Sequence, residues 1–170
     1  MKVAMPTVTF EREMDLDLGG RTVRIVHLGR GNTAGDAVVY VPDARVVATG
    51  DLVVAPAPYA TASFMFEWPA TLRALMALDA QTIVPGHGPL QHDWRYARQV
   101  MEVVMTIATQ VERLVNDGAS LEVAKQKVDA ASFREQFAGG DPFQRRIFDT
   151  FFLPGAIERA YVEAKFRAEK

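Results

Sequence analysis

The chain has 170 residues, enough for one domain with a sizeable core, and its formal net charge of −2 offers no basic surface for nucleic acid or anionic membranes. It contains no cysteine, which excludes disulfides and thiolate zinc sites, so any metal must be held by histidine and carboxylate ligands. Because no run approaches the roughly 18 apolar residues of a membrane span and no leader pattern opens the chain, we expect a cytoplasmic protein with no membrane partner.

The first elements predict an antiparallel hairpin. Residues 8–18 alternate between apolar and polar side chains except at Arg12, which is the period of a half-buried strand. Gly19-Gly20 then provides a tight turn, and residues 22–28 return as a second strand. His27 falls in this second strand, where we expect a neighbouring group to satisfy its ring.

The next elements predict two more strands and a crossover. Residues 37–41 are apolar at every position, as in a strand covered on both faces, and residues 46–49 run back after a turn. A helix beginning at Pro69, followed by a strand at 81–84, indicates a parallel crossover. The second, fourth and fifth strands therefore end at one edge of the sheet, where sites are often built.

Three loops at this edge carry polar groups. Asn32 and Asp36 lie in the first loop, Asp51 in the second and His87 in the third. We interpret Asp36 as a group that fixes its own loop by accepting backbone N–H bonds. An imidazole on a stiff glycine-rich loop suits a metal ligand or a general base, although each loop alone is a weak signal.

An unusually apolar loop follows the fourth strand. It either forms the wall of a site for an apolar substrate or packs in an interface or the core, and its aromatic residues are Tyr59, Phe64, Phe66 and Trp68. From Asp93, a plausible N-cap, the pattern becomes helical, with a first helix that stops at residues 116–118 and further helices to residue 168. We therefore predict a sheet unit with its crossover helix at 1–92 and a helical tail at 93–170 packed on the same core.

In unbroken order over roughly residues 6–90, these loops resemble the metallo-β-lactamase fold superfamily. In that family, loops of the form His-Thr-x-Gly-Asp, Gly-Asp and Gly-His-Gly supply three ligands of a two-zinc hydrolase site. The resemblance implies that Asp51 and His87 are metal ligands, with Asn32, Asp36 and His92 at the edge of the site. It also implies an α/β fold: half of the family's αβ/βα sandwich, with about five strands in a mixed sheet and a C-terminal helical tail.

Two departures from the family pattern affect the expected activity. Asn32 stands where the family has a histidine, and a neutral amide oxygen is a poor substitute for imidazole on zinc. The family's His-x-His-x-Asp-His motif is also absent, and no His-x-His occurs in the chain. Since catalytic zinc normally takes three protein ligands, we expect a weak or partial zinc site and little or no activity from a single chain. The alternatives are a non-catalytic scaffold or binding protein, or one half of a two-chain zinc hydrolase.

Half of a sandwich leaves one sheet face to be covered. We expect this face to include Ile25, Val38, Tyr40 and Val47, an apolar patch too large for a soluble monomer. A second copy, a complementary N-terminal-half chain or the tail could cover it. We favour a symmetric homodimer, because the resemblance implies two halves related by an approximate two-fold, and a second copy would imitate the missing half.

Overall fold

The computed structural model describes residues 4–169, which form a five-stranded mixed sheet followed by helices. The strands lie in sequence order across the sheet, with antiparallel pairing up to the fourth strand and parallel pairing between the fourth and fifth. The predicted five-strand mixed sheet is confirmed. The strands are β1 (Glu13–Asp17), β2 (Thr22–Val26), β3 (Val38–Val41), β4 (Val46–Val54) and β5 (Thr82–His87).

One helix connects β4 to β5, and the remaining helices make up the predicted tail. The first tail helix ends at Asn116, as predicted, but the helix at residues 131–138 was not foreseen. No helix in the part of the chain that the structure describes is long and apolar enough to cross a membrane. The helices are α1 (Trp68–Met76), α2 (Arg95–Asn116), α3 (Leu121–Lys127), α4 (Ala131–Ala138), α5 (Pro142–Ile147), a π-helical turn (Phe148–Phe152, the π-turn) and α6 (Leu153–Ala168).

A single hydrophobic core joins one face of the sheet to the helices. Tyr40 of β3, Val47 of β4 and Ile83 of β5 pair across the strands and are buried in the same cluster as the inner sides of α1 and α2. Trp68 at the start of α1 is fully buried in this core, and its indole N–H donates to the Leu52 carbonyl oxygen at 3.3 Å. Trp68 therefore packs in the core, which is one of the alternatives expected for this loop, and it does not line a substrate or interface wall.

The opposite face of the sheet is apolar, and none of the helices among residues 4–169 forms a layer over it. Its side chains are half-buried or exposed, and Val39 at its centre is 38% exposed. Because side chains alternate along a strand, burying Val38 and Tyr40 turns Val39 and Val41 outward. Two rows cross this outer face: Met14, Ile25, Val39, Ala48 and Val84, and Leu16, Val23, Val41 and Val46.

The expected membership of the uncovered face was therefore largely wrong. Val38, Tyr40 and Val47 are buried under the helices, and only Ile25 of the four lies on the outer face. The cause is the composition of β3. Because every position in β3 is apolar, the sequence does not indicate whether its odd- or even-numbered residues face the core.

The tail is fastened to the sheet unit through α6 and the loop before α1. Glu163 accepts hydrogen bonds from the backbone N–H groups of Met65 at 2.9 Å and Phe66 at 3.3 Å, and burial raises the pKa of its carboxyl. Phe66 also lies under the Arg167 guanidinium, with 4.5 Å from Cζ to the ring centroid. Phe64 lies in the same way under Arg30, at 4.4 Å. Phe64 also lies 6.0 Å from the Arg159 guanidinium of α6, so both aromatic side chains contact the tail.

Candidate metal centre

The sheet topology brings three loops to one edge. β2 and β4 run in the same direction because each is antiparallel to β3, and β5 is parallel to β4. The segments that follow these three strands therefore leave the sheet at the same edge. The first loop lies close to β4, since a Cβ added to Gly50 would lie 3.8 Å from the carbonyl oxygen of Ala37, at the end of that loop.

Asp51 and His87 are brought together at this edge. His87 ends β5, and its Nε2 lies 3.5 Å from Oδ1 of Asp51 in β4. Two donor atoms that each lie ~2.1 Å from one tetrahedral metal ion are about 3.4 Å apart, so this pair fits a shared dication as it stands. The side chains are 68% and 40% exposed, which leaves the site open to solvent and to further ligands.

Gly86 makes this close approach possible. A Cβ at residue 86 would overlap Oδ1 of Asp51, and it would also lie 2.7 Å from the carbonyl carbon and 2.8 Å from the carbonyl oxygen of Gly50. Any side chain at this position would therefore separate β5 from β4 at the point where the two donors meet. A glycine before His87 is thus a requirement of the geometry.

Asn32 is buried at the same edge with an unsatisfied oxygen. Its side chain is 7% exposed, and its Oδ1 is buried without a hydrogen-bond partner. Leaving such an oxygen without a hydrogen bond costs about 1–3 kcal/mol of folding free energy. The Asn32 oxygen is therefore a candidate group for binding a ligand or an ion. The neighbouring Gly31 packs against Leu52, which follows Asp51, so the two loops are in contact.

Asp36 and His27 hold the first loop in shape. The Asp36 carboxylate accepts hydrogen bonds from the Thr33 backbone N–H at 3.0 and 3.1 Å and from the Thr33 hydroxyl at 2.6 Å. Nδ1 of His27 lies 2.6 Å from the carbonyl oxygen of Asp36. Asp36 thus fixes its own loop and a neighbouring group satisfies the His27 ring, as the sequence indicated, although His27 lies just after β2 and not within it.

The other residues suggested from the sequence fall in different places. His92 lines a separate surface cleft with Arg95 and Tyr96. Phe64 and Phe66 line another cleft, next to α6. Of the aromatic residues in the loop after β4, Tyr59 is the one that shares a cleft with Asp51 and His87.

The tail contributes two residues to that cleft which sequence reasoning did not find. Ile147 of α5 and Phe151 of the π-turn line it together with Asp51 and His87. No local pattern marks them, since they lie about 60 residues beyond His87 and come near it only through the packing of the tail.

Asp51 and His87 are the two candidate metal ligands that lie close together among the described residues. Among residues 4–169, no group of three or more histidine, cysteine, aspartate or glutamate side chains is placed to hold one ion. Asp51 and His87 provide two donors of suitable chemistry, one nitrogen and one oxygen, and Asn32 can add only a neutral oxygen. The residues present therefore fit a dication as part of its coordination shell.

Several solved metallo-β-lactamase structures resemble this chain. The metallo-beta-lactamase from Pontibacter korlensis is 28% identical, with a TM-score of 0.55 over 60% of this chain and 50% of that one. IND-7 is 26% identical with a TM-score of 0.53, and TMB-1, at 20% identity and 0.53, supports the fold alone; each match covers 60% of this chain and 49% of the other. The chain spans about half the length of these structures.

The sequence comparison identifies the family directly. The profile of the Metallo-beta-lactamase superfamily matches residues 2–87, half of the chain, and ends at the candidate ligand His87. No curated protein matches the sequence significantly. The profile match and the shared fold together show that this chain belongs to the metallo-beta-lactamase superfamily.

Proposed function

We propose that the chain supplies one half of a metal-dependent hydrolase site. Asp51 and His87 hold the metal, the Asn32 oxygen adds a weaker third donor, and the remaining ligands come from a second polypeptide surface packed on the sheet. The observation that carries the proposal is the 3.5 Å separation of His87 Nε2 and Asp51 Oδ1 at the sheet edge. The unsatisfied Asn32 oxygen supports it.

The residues determine which chemistry such a site can perform. A dication bound here would polarise a substrate carbonyl and activate water for hydrolysis of an ester, amide or thioester. Asp51 contributes the negative charge that offsets the dication, and His87 contributes the one nitrogen donor of the pair. Because both side chains are solvent-exposed and no thiolate is present, we expect weak zinc binding by the isolated chain.

Zinc titration of the purified chain tests this proposal. We expect isothermal titration to saturate at about one zinc per chain, with an affinity at least tenfold lower in Asp51→Ala and in His87→Ala because each variant removes a donor. His92→Ala is the matched control, since His92 lies in a different cleft and its loss leaves the affinity unchanged. Equal zinc binding by the wild type and both ligand variants would refute the proposed site.

A non-catalytic scaffold is the second candidate function. The absence of a three-residue ligand group among residues 4–169 favours it. A wild-type chain that binds no zinc in the same experiment would favour the scaffold, and work would then turn to what covers the sheet.

We propose that a second copy of the chain covers the outer sheet face. The face carries two apolar rows without a charged side chain among them, and Val39 lies at its centre. A two-fold axis places the same rows against each other, which makes the surface self-complementary. Covering this face also brings the second copy to the sheet edge that bears Asp51 and His87.

Val39→Lys tests this interface. We expect the wild type to be a dimer by light scattering after size exclusion, and the Val39→Lys variant to be a monomer, because two lysines would be buried at the centre of the interface. Val162→Lys, on the exposed side of α6, introduces the same change at a position that is 51% exposed and leaves the dimer intact. A monomeric wild type would rule out the homodimer.

A further inference from the structure

The cleft that contains Asp51 and His87 has an apolar wall that metal binding does not explain. Its volume is about 400 Å³, within the ~300–1,000 Å³ typical of small-molecule sites. Apart from Asp51 and His87, the Tyr59 phenol is the one ionisable group that lines it. The rest of the wall is the proline-rich segment after β4 and two side chains from the tail, Ile147 and Phe151.

Two aromatic side chains of this wall are exposed, although each has buried apolar neighbours close by in the sequence. Tyr59 is 45% exposed and Phe151 is 56% exposed, whereas Phe148 and Phe152, in the same π-turn, are fully buried. π-helical turns are rare and occur frequently at functional sites. Here the π-turn is anchored in the core by Phe148 and Phe152 and leaves Phe151 at the cleft.

We propose that this cleft binds the apolar acyl chain of the substrate, with the substrate carbonyl beside Asp51 and His87. A ligand that matches the cleft has a polar carbonyl beside Asp51 and His87 and an uncharged chain along the apolar wall. Among the described residues, no lysine, arginine or second carboxylate lines the cleft, so the wall away from Asp51 and His87 has no partner for a charge on the acyl chain. Tyr59 and Phe151 are then specificity-determining residues. The inference rests on the proposed function, because it assigns a substrate class to the same site.

Binding of neutral acyl amides to the metal-free 170-residue chain tests the inference without requiring activity. Octanamide carries the carbonyl and the chain but no charge, and its site can be located by NMR titration of the backbone amides. We expect the shifts to cluster at residues 54–59 and 147–151. Since two additional methylenes are buried, octanamide should bind roughly tenfold more tightly than hexanamide.

Two variants from different elements and one matched control complete the test. Phe151→Ala and Tyr59→Ala each weaken octanamide binding at least fivefold, because each removes an aromatic wall. Phe143→Ala, in α5, deletes a ring that is 70% exposed and does not line the cleft, and it leaves binding unchanged. Since Phe151 and Tyr59 lie on separate elements, misfolding of one variant leaves the other to decide the result.

The outcomes separate this inference from the proposed metal site. Octanamide shifts confined to the outer sheet face, no binding, or equal affinity in the wild type and both wall variants would overturn the acyl cleft whatever the zinc titration shows. Concentration-dependent shifts in the cleft without ligand would also overturn it, because they would assign the cleft to self-association. Octanamide binding that depends on Phe151, in a chain that binds no zinc, would retain the cleft and remove the hydrolase.

Discussion

Gly86→Ala is expected to destabilise the chain by about 3 kcal/mol and to abolish zinc binding. The added Cβ would overlap the Asp51 carboxylate and lie within 2.7–2.8 Å of the Gly50 carbonyl group. The carboxylate can rotate away, but the Gly50 backbone cannot move without separating β4 from β5, and overpacking of this kind costs roughly 1–3 kcal/mol or more. Urea denaturation measures the loss of stability, and zinc titration measures the loss of the site.

Gly35→Ala is the matched control for this substitution. Gly35 lies in the first loop of the same sheet edge, its φ is not positive, and a Cβ there would meet no heavy atom within 4 Å. The control should therefore change stability by only a few tenths of a kcal/mol, through the lower backbone entropy of the unfolded chain. A Gly86→Ala variant as stable as the wild type, with unchanged zinc affinity, would show that the close approach of Gly86 and Asp51 is not required.

The direction of each strand was accessible from the sequence because it follows from short-range signals. The Gly19-Gly20 turn and the turn after Val41 fix two antiparallel connections, and the α1 crossover fixes a parallel one. Those three connections are sufficient to place Asp51 and His87 at one edge. Their 3.5 Å separation further depends on Gly86, whose role becomes visible only when the two strands are packed.

The side of the sheet that faces the helices was not accessible in the same way. Residues 38–41 are all apolar, so hydrophobicity does not show which alternate set of side chains faces the core. The helices that pack on the sheet determine which set is buried. The same limit applies to the aromatic loop after β4. Trp68 enters the core because it begins α1, whereas Tyr59 remains 45% exposed at the cleft, and no local pattern separates the two.

Residues from the tail could not be assigned to the site by sequence spacing. Phe151 follows His87 by more than 60 residues, and it reaches the cleft because α5 and the π-turn pack beside the end of β4. The apolar pattern after residue 93 predicts helices. It carries no information on which edge of the sheet those helices contact. Long-range packing of this kind cannot be predicted from the local patterns of a single sequence.

Asn32→His is expected to raise zinc affinity more than tenfold. Asn32 is buried beside the loop of Asp51 and carries an oxygen without a hydrogen-bond partner. Imidazole is a much better zinc donor than an amide oxygen. The substitution would replace the weak Asn32 donor and give the chain three strong protein ligands together with Asp51 and His87. Isothermal titration with zinc, at fixed pH and in the absence of chelating buffer, measures the change.

Two further variants make this prediction decisive. Ala34→His adds an imidazole to the same loop at an exposed position and should leave the affinity unchanged, which separates a ligand effect from a general gain of histidine. Asn32→Asp tests the same position without the larger ring: its carboxylate should favour Mn²⁺ and Mg²⁺ more than zinc, because hard oxygen donors suit those ions. If neither Asn32 variant changes the affinity for any of the three ions while both remain folded, Asn32 lies outside the coordination shell. The buried oxygen would then be a structural cost of the loop, and the site would contain only Asp51 and His87 from this chain.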